Sequence, residues 1–108
     1  MKDCIFCQLI NKGRPPKIIY RDEKAIVIKD INPKSPVHLL IIPKKHIASI
    51  KELKEEDKEL AGHLILTAKK IAERKGLSGY KLMFNVGRQA GQIIDHIHLH
   101  LLSNNLTE

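Results

Sequence analysis

Tryptophan is missing from this chain and the other aromatics are scarce, with two tyrosines and two phenylalanines making up 4% of 108 residues. A core must therefore be assembled mostly from Ile, Leu, Val and Ala. The chain has no ladder of aromatics on which to stack bases and no nucleic-acid-binding motif, so polymeric nucleic acid is disfavoured as its main partner. Cysteine is limited to Cys4 and Cys7. No secretory leader follows Met1, which points to a cytoplasmic protein in which a disulfide is disfavoured. No apolar run approaches the roughly 20 residues of a membrane span, so no membrane contact is expected. Acidic residues are outnumbered, 12 against 19 basic, leaving a net charge of +7. That balance favours phosphate-bearing partners, although the lysines are spread along the chain and also suit a solvated surface. At 108 residues the chain reads as one domain, residues 1–108, whose modest core a dimer would enlarge.

What the chain does have is His96-Ile97-His98-Leu99-His100-Leu101-Leu102, which holds three of its six histidines. In an extended strand, residues i, i+2 and i+4 share a face. Three imidazoles would then stand in a row, roughly 6–7 Å apart, with Ile97, Leu99 and Leu101 turned to a core. Imidazole attacks phosphorus well and leaves well, so such a row can split phosphoryl or nucleotidyl transfer into two easier steps. The attacking nitrogen must be unprotonated while the other donates to a fixed acceptor. Strand histidines at this spacing also chelate, so a zinc hydrolase with the three histidines as ligands is a rival reading. Cys4-Ile5-Phe6-Cys7 is a second constellation. Its spacing suits half of a tetrahedral zinc site, with free histidines to complete it; a redox pair and two buried free thiols are the alternatives.

Cys4 to Lys12 reads as a short helical turn with Phe6, Ile5 and Leu9 inward, broken by Gly13-Arg14-Pro15-Pro16. Lys17 to Arg21 and Ala25 to Lys29 read as a hairpin around Asp22-Glu23-Lys24. Val37 to Ile42 is a central strand ended by Pro43. Ser49-Ile50-Lys51-Glu52 resembles a capping box. A long helix is expected from about Glu55 to Lys75, with Leu60, Ala61, Leu64, Ile65, Ala68, Ile71 and Ala72 as its apolar stripe and Gly76 as its stop. His63, on that helix, reads as surface or interface with no role. Tyr80 to Val86 is a fourth strand, Gly87 to Gly91 a flexible turn, and the histidine strand follows. From Ser103 onward the tail reads as frayed. The order implies an α+β fold, a mainly antiparallel sheet covered by one long helix.

The triad with its flanks, Gly91 to Leu102, resembles the signature of the histidine triad (HIT) superfamily. Cys4 to Cys7 resembles the amino-terminal motif of many bacterial members. Asp30 to His38, then Ile42-Pro43-Lys44-Lys45-His46, resemble its Hint branch, and Asn85 falls where that branch has it. The resemblance spans nearly the whole chain. It implies a HIT-like fold, with a five-stranded, mainly antiparallel sheet, one long helix and a short amino-terminal helix. It also implies a homodimer whose sheets join through the long helix and fourth strand.

By the same resemblance His98 is the nucleophile, His100 binds the phosphate oxygens and helps protonate the leaving group, and His38 stands behind them. His96 completes the catalytic set. Asn85, Gly91, Gln92 and Ile93 lie at the α-phosphate. Asp30 reads the ribose, and Ile31, Phe6, Leu9 and Ile28 wall the base. Position 93 is usually serine in the branch, so Ile93 removes a hydroxyl. Cys4, Cys7, His46 and His96 would hold one structural zinc. The implied activity is cleavage at the α-phosphorus of a purine nucleotide conjugate, of phosphoramidate or acyl-adenylate type. A nucleotidyl-histidine intermediate would form and AMP or GMP would be released. A dinucleoside polyphosphate hydrolase and a purine-nucleotide-binding regulatory protein with vestigial catalysis are the neighbouring readings. For the residues alone, His38 reads equally as a core histidine, and Asp30 and the glycine loop as turns.

Overall fold

The computed structural model describes residues 4–12 and 17–104. The expected break at 13–16 and most of the tail therefore lie outside the described residues. Helix α1 spans Ile5–Lys12. Strands β1 (Ile18–Arg21), β2 (Ala25–Lys29) and β3 (Val37–Pro43) follow. Single 3-10 turns at Ile50–Glu52 and Glu55–Asp57 lead into helix α2, Lys58–Arg74. Strands β4 (Lys81–Met83) and β5 (Leu99–Ser103) close the fold. The five strands form one antiparallel sheet in the order β1-β2-β3-β5-β4. This is the expected α+β architecture. No helix among the described residues is long and apolar enough to cross a membrane.

The two faces of the sheet are packed differently, and period-2 alternation sorts the residues between them. Ala25, Val27, Leu39, Ile41, Leu99 and Leu101 meet Leu64, Ala68, Ile71 and Ala72 of α2. Ile26, Ile28, Leu40 and Ile42 meet Phe6 and Leu9 of α1 on the opposite face. Both faces of β2 and β3 are thus covered, which is why those strands read as continuous apolar runs. Each such buried side chain contributes about 1.5–3 kcal/mol of hydrophobic stabilisation before entropy is counted.

Several local expectations change. Ile5 is 59% exposed, so α1 buries Phe6, Cys7 and Leu9 instead. On α2, Ile65 is exposed and Thr67 is buried, its hydroxyl donating to the His63 carbonyl at 2.7 Å. The face toward the sheet centres on Leu64, Ala68 and Ile71, and Ile65 lies about 100° around the helix from Leu64. The helix ends as expected at Gly76, whose φ of 69° permits the left-handed turn. Leu77 N–H reaches Ala72 O and Gly76 N–H reaches Glu73 O, closing a Schellman motif. His63 is not idle: its Nε2 lies 2.8 Å from Asp22 Oδ2, tying α2 to the β1–β2 turn. Ser49 Oγ does accept from Lys51 N–H at 3.1 Å, but only a 3-10 turn follows. Ser103 belongs to β5, its hydroxyl donating to Gly79 O at 2.7 Å.

Candidate active site

The triad does not lie wholly in a strand. β5 begins at Leu99, and residues 96–98 approach it as a bend and coil. The reason is visible at His96. Its ring is fully buried, with Nε2 2.8 Å from Pro43 O and Nδ1 3.2 Å from Cys4 Sγ. Holding that ring between the end of β3 and α1 takes the segment out of the ladder. Both ring nitrogens of His96 are therefore engaged away from His98. What His96 turns toward His98 is its backbone carbonyl.

That carbonyl accepts from His98 Nδ1 at 2.7 Å. With the proton held on Nδ1, the lone pair of His98 lies on Nε2. Burial pushes the His98 pKa below its ordinary value, so the ring stays neutral. Phe6 meets this ring edge-on, with centroids 5.2 Å apart, and meets the His96 ring at 5.8 Å. Helix α1 thus wedges the triad in place.

His100 and His38 lie on the α1 face of the neighbouring strands. Antiparallel register sets His100 opposite Leu40 and His38 opposite Leu102, and His38 Nε2 comes 2.8 Å from His100 Nδ1. The tautomers follow from one backbone bond. Lys34 N–H donates to His38 Nδ1 at 3.0 Å, so the proton of neutral His38 is on Nε2. That proton is given to His100 Nδ1, with Asp30 Oδ2 3.3 Å away as a second acceptor. His100 must then carry its own proton on Nε2. This nitrogen is buried and has no hydrogen-bond partner among the described residues. Burial holds the pKa of His100 down to about 4 and also lowers that of His38, against the pull of Asp30. Asp30, His38 and His100 have metal-like spacing. The Lys34 N–H nevertheless keeps a proton, not a lone pair, on the inward nitrogen of His38, so the cluster is a hydrogen-bond relay.

The loop before the triad is tied down, contrary to the expected flexible turn. Arg88–Ala90 winds one 3-10 turn between Gly87 at φ 85° and Gly91 at φ 89°. Asn85 Nδ2 donates to Ala90 O at 2.7 Å, and its second amide hydrogen has no acceptor among the described residues. The Gln92 side chain is buried and wholly used: Oε1 accepts from Gly87 N–H, while Nε2 donates to Ala48 O and Ile94 O. Its backbone N–H goes to Gly87 O, and that of Gly91 to Arg88 O. Gly91 and Gln92 therefore shape the loop, while Ile93 is 83% exposed and its N–H has no acceptor among the described residues.

Of the expected base wall, Phe6, Leu9 and Ile28 are buried in the α1 packing, whereas Ile31 is 76% exposed beside Asp30. Asp30 Oδ1 accepts from Asn32 N–H at 2.8 Å. Sequence reasoning missed the tautomer-setting Lys34 N–H, the Pro43 carbonyl and the Arg88 side chain. The first two are backbone groups and carry no residue-type signal.

Cys4, Cys7, His46 and His96 offer four ligand atoms within 4.8 Å of one another. His46 Nδ1 lies 3.1 Å from His96 Nδ1 and 3.3 Å from Cys7 Sγ. This is a candidate Cys/His metal cluster that shares His96 with the triad.

A family model described as "Scavenger mRNA decapping enzyme C-term binding" matches residues 3–108. An uncharacterized HIT-like protein of Synechococcus elongatus is 42% identical over 102 residues, covering 94% of this chain and 90% of its own length. The chain belongs to the histidine triad superfamily. Solved HIT structures agree. A HIT family hydrolase from Legionella pneumophila superposes with a TM-score of 0.92 at 43% identity, covering 96% of this chain and 95% of that one. A HIT family hydrolase from Clostridium thermocellum gives 0.90 at 46% identity, with coverages of 94% and 90%. The HIT fold is thereby established for this chain.

Proposed function

We propose that this HIT chain is a Hint-like nucleotide hydrolase or transferase acting at the α-phosphorus of nucleoside monophosphate conjugates, of phosphoramidate or acyl-adenylate type. One observation carries the reading: an imidazole lone pair on His98 Nε2 stands beside a neighbouring imidazole whose buried Nε2–H has no partner among the described residues. Unpartnered buried donors are rare in folded proteins, and one beside a nucleophile suits a ligand anion.

In the first step His98 Nε2 attacks phosphorus and the bond to the leaving group breaks, the leaving atom keeping the electron pair. Positive charge develops on the His98 ring and is met by the His96 carbonyl through Nδ1–H. His100 Nε2–H donates to a phosphoryl oxygen. At neutral pH its low pKa makes it a hydrogen-bond donor and not a preformed imidazolium, so the proton for an amine leaving group comes from solvent. Water then attacks the phosphorus and releases a proton to solvent, the bond to His98 breaks with its electron pair returning to Nε2, and the nucleoside monophosphate leaves with His98 neutral again.

Asp30 binds the ribose hydroxyls with its remaining lone pairs, and Ile31 covers a purine base. Asn85 and the loop at Ile93 face the phosphate. Without a hydroxyl at position 93, choice of leaving group falls to other contacts. The decapping description of the matched family favours a second substrate class, dinucleoside polyphosphates, which present the same α-phosphorus.

Zinc fits the Cys4, Cys7, His46 and His96 set, since N–N and S–N separations of 3.1–3.6 Å are those of ligands around one tetrahedral ion. His96 donates from Nε2 to Pro43 O, which directs the Nδ1 lone pair at the cluster. Burial raises the Cys7 thiol, with Cys4 adding to the effect, and a cation would reverse that by pairing thiolates. The metal would be structural, joining α1 to the catalytic segment. The same reading makes the protein a cytoplasmic homodimer.

The test is to mix the protein with an adenosine phosphoramidate, quench, and analyse by mass spectrometry. A nucleotidyl adduct on His98, absent from His98→Ala, is expected. An adduct elsewhere, with His98→Ala fully active, overturns the reading. Comparing turnover of a diadenosine polyphosphate separates the two substrate classes.

A further inference from the structure

The guanidinium of Arg88 makes three bonds that the proposed chemistry has not used. Its Nη1 donates to Gln92 O at 2.5 Å and to Ile93 O at 2.9 Å, and its Nη2 donates to Asp95 Oδ2 at 2.9 Å. In a trans peptide the C=O and the following N–H point in opposite directions. Two successive carbonyls drawn to one guanidinium therefore turn two successive N–H groups, those of Ile93 and Ile94, away from it together. In an extended segment they would point to opposite sides. Among the described residues neither N–H has an acceptor. Paired backbone donors aimed one way are an anion-binding concavity. The buried Gln92 amide holds the next carbonyl, Ile94 O, from the other side at 3.0 Å. The segment runs directly into His98, so this concavity lies on the chain just ahead of the nucleophile.

We propose that Arg88, braced by Asp95, is a positioning residue for phosphate: it does not touch the anion but orients the Ile93 and Ile94 N–H groups that do. The idea rests on the nucleotide reading above. An exposed Arg–Asp pair alone is worth little, but here the pairing sets the angle of a guanidinium that holds two carbonyls. A lysine cannot replace it, because one ammonium lacks the planar fork.

The experiment uses the 15N-labelled full chain, titrated with AMP and with adenosine, and repeated on Arg88→Met, Arg88→Lys and Asp95→Asn. In the parent, the Ile93 and Ile94 amide resonances should move downfield with AMP and stay in place with adenosine. Arg88→Met should weaken AMP by about tenfold, the equivalent of one lost charge-assisted hydrogen bond. Adenosine affinity and melting temperature should stay unchanged. Arg88→Lys should lose as much as Arg88→Met, and Asp95→Asn less. If Arg88→Lys keeps full AMP affinity, Arg88 binds phosphate by charge and the positioning idea is overturned. Equal loss of AMP and adenosine, or silent Ile93 and Ile94 amides, also overturns it. A parent that binds AMP no better than adenosine instead overturns the nucleotide reading itself.

Discussion

At the residue scale the chemistry depends on where protons sit on three imidazoles. The Lys34 N–H and the His96 carbonyl decide this, and both are main-chain groups. Burial lowers the pKa of His98, which favours the neutral ring in the proposed nucleophile. The acid limb of kcat/KM is therefore expected below pH 6.5, and a pH–rate profile checks it. His100 has a consequence for stability. Above pH 6.5 its ring is neutral in both states, but below that the unfolded chain takes a proton that the folded ring refuses down to about pH 4. Stability should then fall as the medium is acidified through that window, by about 1.4 kcal/mol per pH unit for a fully separated ring. Urea midpoints between pH 7 and 5 test this, and His100→Asn should flatten the slope whatever it does to the absolute value.

At the element scale α1 is the wedge that seats the triad. Phe6 and Leu9 carry its packing, while Ile5 is exposed. Leu9→Ala should cost about 2–5 kcal/mol, and Ile5→Ala should stay within about 0.5 kcal/mol, both read from urea unfolding. Chelating the metal proposed at Cys4, Cys7, His46 and His96 should lower the melting temperature. It should also loosen α1 in hydrogen exchange, without removing the His98 adduct. Loss of the adduct in a still-folded apo protein would return the three-histidine zinc hydrolase to contention. The α2 periodicity was readable to its glycine stop, yet Ile65 and Thr67 exchanged places relative to it. Composition marks an apolar side chain; only docking against the sheet shows which edge of the stripe is covered.

At the scale of the whole molecule, apolar side chains on both β4 and α2 are left exposed. Leu82 is in register with Leu101, so it lies on the α2 face of β4, the outermost strand, and is 37% exposed. Ile65 and Leu66 of α2 are 48% and 64% exposed. An edge strand beside an uncovered helix face is a natural place for two sheets to join. Leu66→Asp combined with Leu82→Asp should convert the proposed dimer to a monomer in light scattering, with the far-UV circular dichroism of the fold retained.

The antiparallel α+β fold and the cysteine pair were legible in the chain, because each is written in residue type and spacing; the histidine row was legible only in part, since residues 96–98 lie outside β5, and His46 came only with the family resemblance. The division of labour among the histidines was not legible. Spacing makes His96, His98 and His100 equivalent. Packing sends the first to the cysteines, places the second's lone pair on Nε2, and fixes the third's proton on Nε2 through a hydrogen bond donated by His38. Those differences come from carbonyls and amides supplied by distant parts of the backbone, and every residue type carries the same ones. Only their convergence in three dimensions tells the rings apart.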